Sequence, residues 1–74
     1  MSIFEIDITF GDNFLVFLIR SPEDIKLLAS RLREYQLIEV DCEYDKDNKI
    51  VKIEPQWLNV DWNKVLYYEV KHVL

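Results

Sequence analysis

Residues 4–10 alternate strictly, with Phe4, Ile6, Ile8 and Phe10 on one parity and Glu5, Asp7 and Thr9 on the other. Residues 37–45 repeat the pattern, setting Ile38, Val40, Cys42 and Tyr44 against Glu39, Asp41, Glu43 and Asp45. A β-strand points successive side chains to opposite sides, so both segments predict strands with one apolar face and one carboxylate face. Residues 2–10 and 13–20 should form a hairpin, because Gly11-Asp12-Asn13 supplies turn chemistry between them. Phe14 to Ile19 is an unbroken apolar run, which implies burial on both faces. That places the second strand centrally in a sheet, or with one face under a helix and the other against a partner.

Ser21-Pro22-Glu23-Asp24 predicts a helix over residues 22–35, with Ser21 as N-cap, Pro22 at the first helical position and acids near the positive pole of the dipole. Ile25, Leu28, Ala29 and Leu32 follow at helical spacing and form an apolar stripe reaching towards Tyr35.

A second hairpin pairs residues 37–44 with 49–54 around Asp45-Lys46-Asp47-Asn48. The expected register sets Tyr44 opposite Lys49, Cys42 opposite Val51, Val40 opposite Ile53 and Asp41 opposite Lys52. Pro55 should end the fourth strand or protect its edge. Beyond Gln56 two patterns compete. Trp62, Val65, Leu66, Val70 and Val73 form a helical stripe, whereas Leu66, Tyr68, Val70, His72 and Leu74 alternate as a strand, which the Val and Tyr density favours. Residues 1–74 thus predict one small α+β domain: an antiparallel sheet of four or five strands, ββαββ plus a C-terminal strand or helix, with one amphipathic helix on one face.

A chain of 74 residues is near the size at which a core suffices without a disulfide, metal or partner. Half its residues are hydrophobic, so a folded core is expected, and the apolar surplus predicts a homo-oligomer. Fourteen acids against nine cations, a formal charge of −5, argue against direct binding to nucleic acid or an anionic membrane surface. The acidity is concentrated in the strands: residues 39–61 carry seven acids against Lys46, Lys49 and Lys52. Cys42 stands alone on an apolar strand face and reads as a small buried hydrophobe. No apolar run is long enough to span a bilayer and the start lacks a basic leader, so a cytoplasmic protein is expected.

Candidate chemistry is sparse. Asp45, Asp47 and Asn48 resemble the opening of a calcium loop, but no glycine follows and no glutamate closes it, so a polar turn is the better reading. His72 is the sole histidine, which leaves no catalytic triad or zinc set to assemble. A single glycine excludes a glycine-rich phosphate loop. Glu39 and Asp41 share a strand face, yet an open sheet face gives carboxylates no water-shielded pocket. No enzyme activity, cofactor or metal is therefore expected.

What remains is the acidic face. Glu5, Asp7, Glu39, Asp41, Glu43 and Asp45 are candidate partner-binding residues, joined by Trp57 and Trp62 as aromatic anchors. Same-face residues repeat at roughly 6.6–6.8 Å, against one charge per about 1.7 Å of duplex DNA, so mimicry of nucleic acid would need a second carboxylate row beside the first. The expected function is a non-enzymatic interaction protein docking on a basic protein surface, including an inhibitor that mimics nucleic acid; small phage-type anti-defence inhibitors share this size and charge. The alternative is a small homo-oligomeric structural or regulatory subunit assembling through apolar and aromatic surface. Acidic strands can also serve solubility alone.

Overall fold

The computed structural model describes residues 1–74. Its strands are β1 (Ser2–Phe10), β2 (Asn13–Ser21), β3 (Leu37–Tyr44), β4 (Ile50–Asn59) and β5 (Tyr67–His72), with one helix, α1 (Ile25–Arg31), between β2 and β3. The class is α+β with antiparallel pairing, as the alternation implies. The strands do not form a single sheet, however. They divide into a three-stranded sheet, β2-β1-β5, and a two-stranded sheet, β3-β4.

The first hairpin has the expected elements. Phe10 lies opposite Asn13, and Gly11 takes the turn at φ +50°, where an L side chain would be strained. β1, rather than β2, is the central strand of its sheet, because the tail returns as β5 and pairs along β1. β2 therefore has an edge, and its apolar run is buried only in part. Phe17, Leu18 and Ile19 are buried, whereas Phe14, Leu15 and Val16 are exposed. Phe17 and Ile19 enter the main core, and Leu18, on the opposite parity, is buried apart from it. Two-faced burial thus holds where β3 lies against β2 and fails towards the turn.

The helix is shorter than its stripe predicts. Ser21 remains in the β1–β2 ladder opposite Ser2, and its Oγ accepts a hydrogen bond from the Glu23 amide, so the chain must bend at Pro22 before helix can begin. Asp24 is the N-cap, accepting from the Leu27 amide at 2.8 Å, and α1 ends in a single 3-10 turn, Leu32–Glu34. Leu28 and Leu32 carry the buried stripe into a core with Phe4, Ile6, Ile8 and Ile38; Ile25 is exposed.

The second hairpin departs from the expected register. The Asp45 carboxylate accepts from the Asp47 and Lys49 amides, Asn48 takes φ 61°, and the Asp45 amide bonds the Lys49 carbonyl. Asp45 and Lys49 thereby become the closing pair, which sets Tyr44 opposite Ile50 and Cys42 opposite Lys52. A second shift falls between Val40 and Cys42, so that Val40 faces Gln56 rather than Ile53. Pro55 lies in that irregular stretch of β4 and does not end the strand, which continues to Asn59. Proline has no N–H to donate, so an irregular stretch of an edge strand tolerates it. β3 itself keeps its alternation, burying Ile38, Val40 and Cys42.

The tail forms a strand, not a helix. Val60 and Val65 join the core, and Asp61 caps a 3-10 turn at Trp62–Lys64 by accepting from the Asn63 amide. No helix is long and apolar enough to cross a membrane.

Candidate partner-docking site

The fold does not gather the acidic candidates into one face. Glu5 and Asp7 lie on the side of β1 opposite its core residues, and Lys71, directly across from Glu5 on β5, reaches Asp7 at 3.2 Å and Glu5 at 3.6 Å. Glu5 also accepts the Tyr44 hydroxyl at 3.0 Å. The neighbours of β1 are β2 and β5, so β3 supplies no second carboxylate row beside it. Asp41 is held by a two-pronged pair with Arg20 of β2, not by Lys52. Asp45 is engaged in its turn. Glu39 and Glu43 are the two members of the β3 row that are exposed and free of any ion pair.

These pairs perturb the titrating groups in consistent directions. Hydrogen bonds to Asp41 and Asp7, reinforced by the same charges, raise Arg20 and Lys71 above their ordinary values. Burial, then the hydrogen bond to Glu5, pushes the Tyr44 phenol up. Burial likewise raises the Cys42 thiol, which makes it a weak nucleophile at neutral pH.

The two tryptophans separate in role. Trp62 is half-buried: its indole N–H donates to the Tyr35 carbonyl at 2.8 Å, and its ring meets Tyr68 edge-on at 5.4 Å. Trp57 is 62 % exposed. It stands opposite Glu39 in the β3–β4 ladder, so the two side chains share a face.

Both residues border a groove of about 370 Å³ between α1, the end of β2 and the start of β3. Leu28, Leu32 and Ile38 supply buried apolar walls, while Leu37 and Trp57 stand exposed at its margin. Glu23 also lines it. One Glu23 oxygen, Oε1, accepts from Arg31 at 3.2 Å and from the Tyr35 hydroxyl at 3.3 Å, while Oε2 is buried without a hydrogen-bond partner. Its accessible part is the margin, where the Trp57 indole, Leu37 and the Glu39 carboxylate are exposed together.

Of the candidates, the groove brings together Glu39 and Trp57 alone. Arg20, Glu23 and Lys71 were not singled out by sequence reasoning. Lys71 had a signal, since Glu69-Val70-Lys71 alternates with the strand; Glu23 had none, because a helix of the expected length absorbs it as an N-terminal acid. No three His, Cys, Asp or Glu side chains converge as metal ligands do. Comparison with protein-family models, with curated proteins and with solved structures returns no match.

Proposed function

We propose that this is a non-enzymatic interaction protein that docks on a basic protein surface, and that the docking edge is centred on Glu39 and Trp57. The carrying observation is the cross-strand placement of an exposed indole beside an unpaired carboxylate. Tryptophan is enriched at binding hot spots because it combines a large apolar area with a polar tip. The distribution of the other acids favours a compact docking edge over a long imitation of a nucleic-acid backbone, since Lys71 and Arg20 neutralise three of them locally. An inhibitor of a nucleic-acid-handling protein remains within the class, and competition with duplex DNA for the captured partner tests that form.

The experiment is charge reversal at the unpaired positions. Glu39→Lys with Glu43→Lys should abolish capture of the partner from the native host and leave the fold intact, because both side chains are exposed. Capture undiminished by the reversal would remove the proposal.

Self-association is the second reading, and Phe14–Val16 favours it. Phe14 is 75 % exposed and leads an uncharged stretch at the edge of β2. Unguarded apolar edges invite pairing with another chain. Sedimentation at micromolar concentration should then show a species heavier than the 9.0 kDa chain.

A further inference from the structure

We infer that the open edge of β2 is a self-pairing site, on which a second copy of this chain lays its own β2 antiparallel, with Leu15 on the two-fold axis. The inference rests on the self-association reading above and names its contact.

Backbone direction decides which groups are open. In an antiparallel sheet the N–H and C=O of one residue point to the same side, and successive residues alternate sides. The Ile3 carbonyl accepts from Val73 at 2.9 Å, its amide donates to Leu74 at 2.8 Å, and the Thr9 carbonyl accepts from Leu66 at 2.9 Å. The odd-numbered residues of β1 therefore face β5, and the even-numbered ones face β2. Ile8 and Ile6 lie opposite Leu15 and Phe17, so those two β2 residues direct their backbone groups to β1. Phe14 and Val16 point theirs the other way, where no strand is paired and no turn or loop bond reaches them. Their side chains and that of Leu15 are exposed. Further along, β3 closes in: Leu18 is buried and Arg20 is held by Asp41.

Charge identifies the occupant. Unpaired strand edges are ordinarily guarded by charges or proline. β4 and β5 follow that rule, with Lys52, Glu54 and Pro55 on one and Glu69 and Lys71 on the other. β2 does not, since Asn13–Ile19 has no charged residue. Two copies of a chain of net charge −5 repel, and this stretch lets them meet without setting like charges opposite one another. The open groups are also complementary to themselves. Pairing Phe14 with Val16 of the second copy, in both directions about Leu15, matches every open donor with an open acceptor. Centring the axis on Val16 would draw Leu18 in against β3, and centring it on Phe14 would draw in Asp12 of the turn. The paired Phe14 and Val16 side chains then cover each other on one face, and the two Leu15 side chains meet on the other.

The test is cross-linking through a cysteine on the axis. Residues there form a non-hydrogen-bonded pair with Cα atoms about 4.5 Å apart, within the span of a disulfide. Leu15→Cys should therefore oxidise to a covalent dimer, linked at that position by mass spectrometry. Asn13→Cys should not, because its two copies would lie roughly 14 Å apart along the strands. In the native chain, amide exchange should slow at Phe14 and Val16 as concentration rises into the millimolar range, while Leu15, bonded to β1, is protected at every concentration. Val16→Lys, and Val16→Pro, which removes only an outward N–H, should each weaken association at least tenfold in sedimentation. Where Val16→Pro fails to fold, Val16→Lys decides, since that side chain is exposed. A native dimer that Val16→Lys leaves intact and Leu15→Cys fails to link would overturn β2 pairing while leaving self-association in place. A monomer at all concentrations would overturn both. Linking of Asn13→Cys as readily as Leu15→Cys would also overturn the inference.

Discussion

Trp57 lies directly opposite Glu39 across the β3–β4 ladder, and the pair exists because the register of that hairpin shifts between Val40 and Cys42. Had the register set by Tyr44–Ile50 continued unbroken, the whole upper half of β4 would have moved relative to β3, and a different residue would face Glu39. The irregular stretch around Pro55 is therefore a determinant of the proposed docking edge as well as of the sheet.

The two tryptophans should respond oppositely to truncation. Trp57→Ala removes an exposed side chain and should change stability by no more than about 0.5 kcal/mol, while weakening partner binding. Trp62→Ala deletes a hydrogen bond to Tyr35 and an edge contact with Tyr68, and should destabilise by about 2–3 kcal/mol. Urea unfolding of both variants checks the contrast.

Lys71 is the cation that allows Glu5, Asp7 and Glu69 to lie close together on the β1–β5 pair. Lys71→Ala should lower the melting temperature, and the loss should be largest at low ionic strength, where repulsion among the remaining carboxylates is least screened. Thermal unfolding at two salt concentrations measures it; a loss independent of salt would point to packing by the lysine stem instead.

Alkaline pH should expose the role of Tyr44. Its phenol titrates above the ordinary 10.0, first because of burial and then because it donates to Glu5. A folded-state value above the unfolded one means that its contribution is fully present below about pH 10 and is lost as pH rises through the raised value. Lys71, also raised, acts in the same direction. Tyr44→Phe cannot ionise, so the stability advantage of the native protein over this variant should shrink across that window in denaturant titrations at stepped pH.

Cys42 is buried, and its thiol is raised by that burial. Less thiolate is therefore present at neutral pH than for a free cysteine. Alkylation by iodoacetamide should be slow in the folded protein and fast in urea, as mass spectrometry would show.

Much of the fold was legible because it follows from local rules. Alternation identified β1 and β3 and Gly11 the first turn, while the Val and Tyr density of the tail only favoured a strand over a helix where β5 forms. What was not legible depended on competition between local signals. Ser21 reads as an N-cap, yet its backbone is committed to the ladder with Ser2, and Asp24 caps the helix instead. Asn48 at positive φ lets Asp45 and Lys49 close the second turn, which moved the register by one residue from the one that apolar matching favours. That β5 joins β1, and that β3 and β4 pair apart from the edge of β2, are long-range choices that no local pattern specifies. For the site, the composition showed acidic strands, but which carboxylates are neutralised depended on Arg20 and Lys71 arriving from other strands. Glu39 and Trp57 were both visible as candidates; their adjacency was not.

The most direct measurement is the affinity of the host partner for the native protein, for Glu39→Lys and for Trp57→Ala, each at low salt and in half-molar salt. Docking through this edge predicts that either substitution weakens binding at least tenfold, about 1.4 kcal/mol, and that salt weakens the native complex more than it weakens the Glu39→Lys complex. Unchanged affinities for both folded variants, with no dependence on salt, would contradict it.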